Sequence, residues 1–395
     1  MLVDDSTDRS APPYTEAVLH HIRAQRSAFV DYLTALVEHE SPSTDPAAQQ
    51  PVFDQLAASL RALDFQATHR PGCQTGGQLY ARPAHRARHQ PFQLLVGHGD
   101  TVWSHGTLSA MPAREEDNRL RGPGVFDMKA GLAMIVFALE TLDALDLALP
   151  YTPVVLINSD EEIGSIESQG IIEWLAHGAE RAFVLEPALG RDGKLKTARK
   201  GTGEFEIIVE GQAAHAGLAP GDGASAIVEL SHVVQALHAM NDPARGISVN
   251  VGTIDGGQRP NVVAPQSRAS VDVRVPTRED ARTIAARIRA LEPLTPGVSL
   301  TVHGGIERMP MERTARNMAL WNQAQQLGRS IGLSLDHGLS GGGSDGNFTS
   351  LHTATLDGLG AVGDGAHADH EFIFIDETLE RCALLALLLM APPHQ

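Results

Sequence analysis

Three short apolar runs, each delivering an acid or a histidine at its end, dictate what this chain can fold into. Phe92-Gln-Leu-Leu-Val96 leads into Gly97-His98-Gly99-Asp100-Thr101-Val102. Val154-Val-Leu-Ile157 leads into Asn158-Ser-Asp-Glu-Glu-Ile-Gly-Ser165, and Arg181-Ala-Phe-Val-Leu185 into Glu186-Pro187. Runs of this length, closed by Gly, Ser or Pro, read as buried strands. Helical segments separate them, among them the apolar stretch Leu132 to Leu145. Strand and helix alternate, which predicts an open α/β sheet with its site at the carboxyl edge.

The 395 residues suffice for two domains and a sizeable core. A formal charge of −17 argues against a nucleic-acid or anionic-membrane surface. Cys73 and Cys382 are the only cysteines, so neither a disulfide framework nor a thiolate metal site is expected. Met1 to Glu16 is polar, and the longest apolar run, Cys382 to Ala391, is about half the roughly 20 residues of a membrane span. That run reads as a buried terminal helix, and cytoplasmic residence is the expectation.

Two adjacent glutamates at the mouth of a buried strand are costly unless something positive accompanies them. Neighbouring side chains on an extended chain point apart, so one of Glu161 and Glu162 can hold a cation while the other faces a reactant. His98 and Asp100 share a strand face, as a ligand and the carboxylate that fixes its tautomer would. A histidine satisfying local hydrogen bonds gives the same string. Asp127, in Gly122-Pro-Gly-Val-Phe-Asp-Met-Lys129, stands at a helix start, where it reads as either a cap or a ligand. Taken together, His98, Asp127, Glu161, Glu162, Glu186 and His367 supply imidazole and carboxylate groups from separate strand ends. Nitrogen and oxygen donors without thiolate suit zinc, with cobalt or manganese as substitutes. Six such groups exceed what one catalytic zinc uses, whereas two cations sharing a bridging carboxylate would use them all.

From Gly201 the texture changes. Strands over Glu204–Glu210, Ile247–Ile254, Ser267–Val275 and Val298–His303 alternate with helices over Ala224–Met240 and Arg278–Leu291. The β-α-β-β-α-β order is the split βαβ pattern. The expected organisation is a discontinuous domain of residues 1–200 and 314–395, with residues 201–313 inserted as a ferredoxin-like α+β domain.

With these pieces in hand, the chain resembles the dinuclear zinc exopeptidase and deacylase family. That family includes glutamate carboxypeptidase, acetylornithine deacetylase, succinyl-diaminopimelate desuccinylase and aminoacylase. The resemblance rests on the segments at 97–102, 122–129 and 158–165, on Leu185-Glu-Pro187, Ala214-His-Ala-Gly217, Pro260-Asn-Val-Val263 and Gly341-Gly-Gly-Ser-Asp345. Gly99 and Ala130 depart from common family residues, and neither is a ligand position. The resemblance implies that His98, Asp127 and Glu186 hold one zinc, and that Asp127 bridges to a second held by Glu162 and His367. It makes Glu161 the general base, Asp100 the partner of His98, and His215 an oxyanion donor, commonly supplied by the other subunit of a homodimer built through the lid. Arg274 would bind the substrate carboxylate, with Asn261 and the Gly341, Gly342 and Gly343 amides completing the pocket. Lys200 and Arg308 are candidates for a second acidic group. Thr197-Ala-Arg-Lys-Gly201 and Gly365-Ala-His-Ala-Asp369 lean toward the glutamate carboxypeptidase branch, acting on a small peptide. An N-acyl amino acid substrate is the alternative.

Two other strings compete. Gly358-Leu-Gly-Ala-Val-Gly363 fits a dinucleotide fingerprint but lacks the helix that must follow it. Gly342-Gly-Ser344-Asp-Gly346 fits a nucleophile elbow, with Asp364 and His367 in serine-hydrolase order. That reading leaves the glutamates unexplained.

Overall fold

The computed structural model describes residues 13–87 and 89–392. The polar opening read above therefore lies largely outside the described residues. Two compact units are distinguished. One is formed by the described parts of Met1–Thr197, Arg313–Gly338 and Ser344–Gln395, the other by Ala198–Glu312 with Leu339–Gly343. The second unit takes in 339–343, unlike the boundary expected from sequence. Hydrogen bonding accounts for this, since Lys200 N–H donates to Ser340 O and the Arg199 guanidinium Nη1 donates to the Gly342 and Gly343 carbonyls.

The first unit is α/β, built on a six-stranded mixed sheet. Its order is Phe65–Arg70, Gln78–Pro83, Thr152–Asn158, Phe92–His98, Arg181–Val184 and Ala354–Leu356. The last four strands run parallel, and the first two are antiparallel additions at one edge. Phe92–His98 pairs on both sides, and His98 stands opposite Asn158. All three strands that carry the candidate groups run parallel and thus open at one edge, as the alternation predicted.

The helix Ala130–Ala144 is buried nearly all round, which explains why its sequence shows apolar residues on every face. Its approach to the sheet is set by glycine. A Cβ on Gly131 would lie 2.1 Å from the Leu185 carbonyl, and one on Gly97 would lie 2.8 Å from Leu132 Cδ2. The terminal helix Ile375–Met390 is buried along most of its length. Where one helix was expected over Glu16–Glu40, Thr15–Ala24 and Arg26–Glu38 meet at Gln25. The apolar spacing continues through the joint, with Ile22 and Phe29 both fully buried, so periodicity could not reveal it.

A further four-stranded sheet was not foreseen. Its strands are Gly363–Asp364, Phe372–Phe374, Arg119–Arg121 and Arg114–Glu116, too short to leave a periodic signal. It sets the loop bearing His367 beside the strand that feeds Asp127.

The second unit is a four-stranded antiparallel sheet in the order Ser248–Gly256, Gln266–Val275, Gly201–Glu210 and Ser299–Arg308. Helices Ala226–His238 and Arg278–Arg289 complete the β-α-β-β-α-β order, which is the ferredoxin-like arrangement. Its apolar core draws on Phe205, Ile207, Val209, Leu230, Val271 and Ile284.

Candidate metal centre

His98 ends the central strand with its ring 1% exposed. Its Nδ1 faces the Asp100 carbonyl at 3.0 Å and the Asp100 carboxylate at 3.3 Å. That leaves Nε2 turned toward Asp127 Oδ1 and Glu186 Oε1, both at 3.3 Å. Asp100 is itself held: it accepts from Ser43 Oγ at 2.7 Å and from the Glu161 and Glu162 amides at 3.3 Å each. One carboxylate therefore orients the imidazole and the loop carrying both glutamates.

His367 approaches from the other side. Its Nε2 lies 3.1 Å from Glu162 Oε2 and 3.6 Å from Asp127 Oδ2. The two oxygens of Asp127 thus face different imidazoles, an arrangement in which a carboxylate can bridge. Single ligand atoms of His98, Asp127 and Glu162 lie within 4.8 Å of one another, as do those of His98, Glu161 and Glu186. Lys196 Nζ stands 3.9 Å from Glu186 Oε2.

The electrostatics are those of crowded anions. Hydrogen bonds to Asp127 and Glu162 lift the His367 imidazole to about 10. Burial opposes charge on His98, yet Asp100, Asp127 and Glu186 raise it well above the ordinary histidine value. Asp127 is also penalised by burial, but His367 and His98 hold it below the usual carboxylate range. Burial pushes Glu162 up, and its buried Oε1 has no hydrogen-bond partner. A buried carboxylate oxygen left open beside two imidazoles and further carboxylates is a donor set that fits a divalent cation.

Asp127 does not cap the helix that follows. That helix begins at Ala130 with Lys129 at its N-cap, and no side chain caps it. The serine-hydrolase reading is also corrected. Ser344 is fully buried and caps helix Asp345–His352; its hydroxyl accepts from Gly346 N–H and donates to Asp357 Oδ2 at 2.7 Å. Asp364 is paired with Arg191 at 2.7 Å. Gly358–Gly363 is no nucleotide loop: Gly360 N–H bonds the Glu186 carbonyl, and a Cβ there would lie 2.2 Å from the Leu185 carbonyl.

The remaining candidates belong to the second unit. Ala216 N–H donates to the Asn261 carbonyl at 3.0 Å, setting His215 beside the Asn261 loop. His215 Nδ1 accepts from the Gly217 and Leu218 amides, which leaves Nε2 as the ring's donor. Arg274 and Arg308 both stand opposite Thr202 and so share a sheet face. Arg274 is engaged with Asp272 at 2.8 and 3.0 Å. Arg308 is buried, and a Cβ on Gly343 would lie 3.2 Å from its Cδ. Lys200 follows Arg199, whose guanidinium holds the Gly342 and Gly343 carbonyls.

Sequence reasoning missed two carboxylates. Asp345 accepts from Asn158 Nδ2 and Ser165 Oγ, pinning both ends of the Glu161–Glu162 loop. Glu371 accepts from the Gly124, Phe126 and Asp127 amides and from the Trp103 indole. Asp345 sits in a segment singled out above and Glu371 just beyond another, but a carboxylate that binds distant donors has no spacing of its own.

A model of peptidase family M20/M25/M40 matches residues 94–391. The chain belongs to that family. Carboxypeptidase G2 of Pseudomonas sp. is 28% identical over 373 residues, covering 93% of this chain and 89% of that protein. Acetylornithine deacetylase of Myxococcus xanthus is 30% identical over 258 residues, covering 61% and 65%. Among solved structures, aminopeptidase PepT from Bacillus cereus superposes with a TM-score of 0.75 at 19% identity, covering 94% of this chain and 98% of that one. That likeness bears on the fold. As an M20 member the chain is a hydrolase of the metallopeptidase and amidohydrolase class. Among the described residues no helix is long and apolar enough to cross a membrane.

Proposed function

We propose that this M20 chain is a two-zinc carboxypeptidase that cleaves the amide bond to a C-terminal, glutamate-like amino acid. The observation that carries the two-cation reading is Asp127, whose oxygens face His98 on one side and His367 on the other. His98, Asp127 and Glu186 would hold one cation, and Asp127, Glu162 and His367 the second, with cobalt or manganese able to replace zinc. Bound cations supply Lewis acidity, polarising the amide carbonyl and lowering the pKa of water to about 7.

The chain's own groups do the rest. Asp100 accepts the hydrogen bond of His98 Nδ1–H, through its carbonyl and its carboxylate, and so keeps Nε2 free as a donor atom. Glu161 takes the proton of the attacking water and returns it to the leaving nitrogen. His215 donates to the tetrahedral oxyanion, supplied across a homodimer. Arg274 offers its guanidinium fork to the substrate's terminal carboxylate, which must compete with Asp272 for it. Asn261 and the Gly341–Gly343 amides complete that pocket, and Lys200 and Arg308 receive an acidic side chain. This reading assigns catalysis to residues 1–200 and 314–395, lid and dimerisation roles to 201–313, and residence to the cytoplasm.

Similarity to a carboxypeptidase along 93% of the chain supports the carboxypeptidase reading, and likeness to a desuccinylase along 85% keeps a deacylase as the alternative. The test is a screen of zinc-loaded enzyme on N-acyl amino acids and dipeptides with C-terminal Glu, Asp or neutral residues. Highest kcat/KM on C-terminal Glu is expected. Highest kcat/KM on simple N-acetyl amino acids with neutral side chains would replace the reading with a deacylase.

His215→Ala should lower kcat by about a hundredfold or more, the usual cost of losing an oxyanion donor, with cation content unchanged. Mixing its subunits with Glu161→Gln subunits should restore activity. Exchange without recovery would count against a shared site.

A further inference from the structure

The loop that carries Asp127 has no regular ladder to satisfy its amides. Its backbone is non-helical at Asp127 and at Met128, and Gly122 and Gly124 both take positive φ. Val125 and Lys129 N–H donate to loop carbonyls, and the N–H groups of Gly124, Phe126 and Asp127 are collected by one side chain. Glu371 is 1% exposed, and each of its oxygens receives two donors. Oε1 accepts from Phe126 N–H at 2.8 Å and Asp127 N–H at 2.9 Å. Oε2 accepts from Gly124 N–H and the Trp103 indole, both at 2.8 Å.

The same residue is tied to the other ligand loop. Glu371 lies four positions after His367, and the intervening turn is closed by Ala368 N–H to Gly365 O and Glu371 N–H to Ala368 O. His367 itself stands at φ 60°, a conformation a non-glycine residue adopts only when its surroundings impose it. Immediately beyond, Phe372 pairs with Arg121, one residue before the Asp127 loop begins.

We propose that Glu371 is a positioning residue that locks the Asp127 loop to the His367 loop and so sets the affinity for the cation these two share. The inference rests on the two-cation reading above. It assigns Glu371 no contact with substrate or cation. Its requirement is two acceptor oxygens, since four donors converge on them. Glutamine cannot substitute, because either flip of its amide turns an NH2 toward two N–H donors.

The experiment is a zinc titration of cation-stripped protein by competition with a chromophoric chelator, on wild type, Glu371→Gln and Trp103→Phe. Thermal unfolding of the cation-free forms is run alongside. Wild type should take up two cations per chain. Glu371→Gln should bind one of them about 10- to 100-fold more weakly, as losses of groups that orient metal ligands do, and excess zinc should restore kcat with KM unchanged. Trp103→Phe removes one donor of four and should show a smaller weakening in the same cation.

A folded Glu371→Gln protein with both affinities intact overturns the inference and leaves the two-cation reading standing. A wild type that takes up no stoichiometric cation overturns both. If Glu371→Gln does not fold, Trp103→Phe decides: weakened affinity supports the lock, and unchanged affinity overturns it.

Discussion

Replacing Glu161 with glutamine is expected to lower kcat by about a thousandfold, within the usual range for a general base, while both cations stay bound. The substitution preserves shape and removes only charge and basicity. The Glu161 amide keeps its bond to Asp100, and the ligand atoms assigned to the cations lie on His98, Asp127, Glu162, Glu186 and His367. Single-turnover kinetics beside elemental analysis checks both halves of the expectation. Glu162→Gln is the matched control: the adjacent residue, the same chemical change, but an oxygen facing His367. It should lose cation first and turnover as a consequence. If Glu161→Gln loses metal instead, its carboxylate is a ligand. The grouping of Glu161 with His98 and Glu186 within 4.8 Å makes that outcome a physical alternative.

The contrast between these neighbours shows what a sequence can disclose. The strand ends were legible because burial demands long apolar runs, and each run here terminates in a group that water-free surroundings penalise. His98, Glu161 and Glu186 announce themselves in that way, and the ferredoxin-like order of the inserted unit follows from plain alternation. Asp127 was ambiguous because a cap and a ligand present the same string; in the fold Lys129 holds the N-cap position, and the Asp127 carboxylate faces His98 and His367 instead. Glu371 and Asp345 were silent. Each acts on partners well over a hundred positions away in sequence, Glu371 on Gly124 and Asp345 on Asn158, and no local periodicity encodes such a pairing. The strands Arg119–Arg121 and Phe372–Phe374 were silent for another reason. With three residues apiece they bury too little to pattern the chain, and they are joined to each other by backbone pairing.

Stripping the cations should abolish activity and lower the melting temperature by on the order of 10 °C. The argument starts from the carboxylates that converge here, with burial pushing Glu162 up and leaving its Oε1 unpartnered. A ligand that binds only the folded state at a thousand times its Kd contributes about 4 kcal/mol. For domains of this size each kcal/mol shifts the midpoint by roughly 2–4 °C. Zinc should restore both properties and magnesium neither, since magnesium favours all-oxygen sites and keeps its waters. The pH dependence has a definite sign. In the cation-free protein Asp127 and Glu162 hold the His367 imidazole up at about 10, so it carries its proton at neutral pH. A cation can take that nitrogen only by expelling the proton. Uptake should therefore release protons, and affinity should rise with pH through the neutral range, up to the His367 value. Calorimetry in buffers of different ionisation enthalpy measures the release directly. A stripped enzyme that keeps its turnover and its melting temperature would remove the basis for every role assigned to these residues.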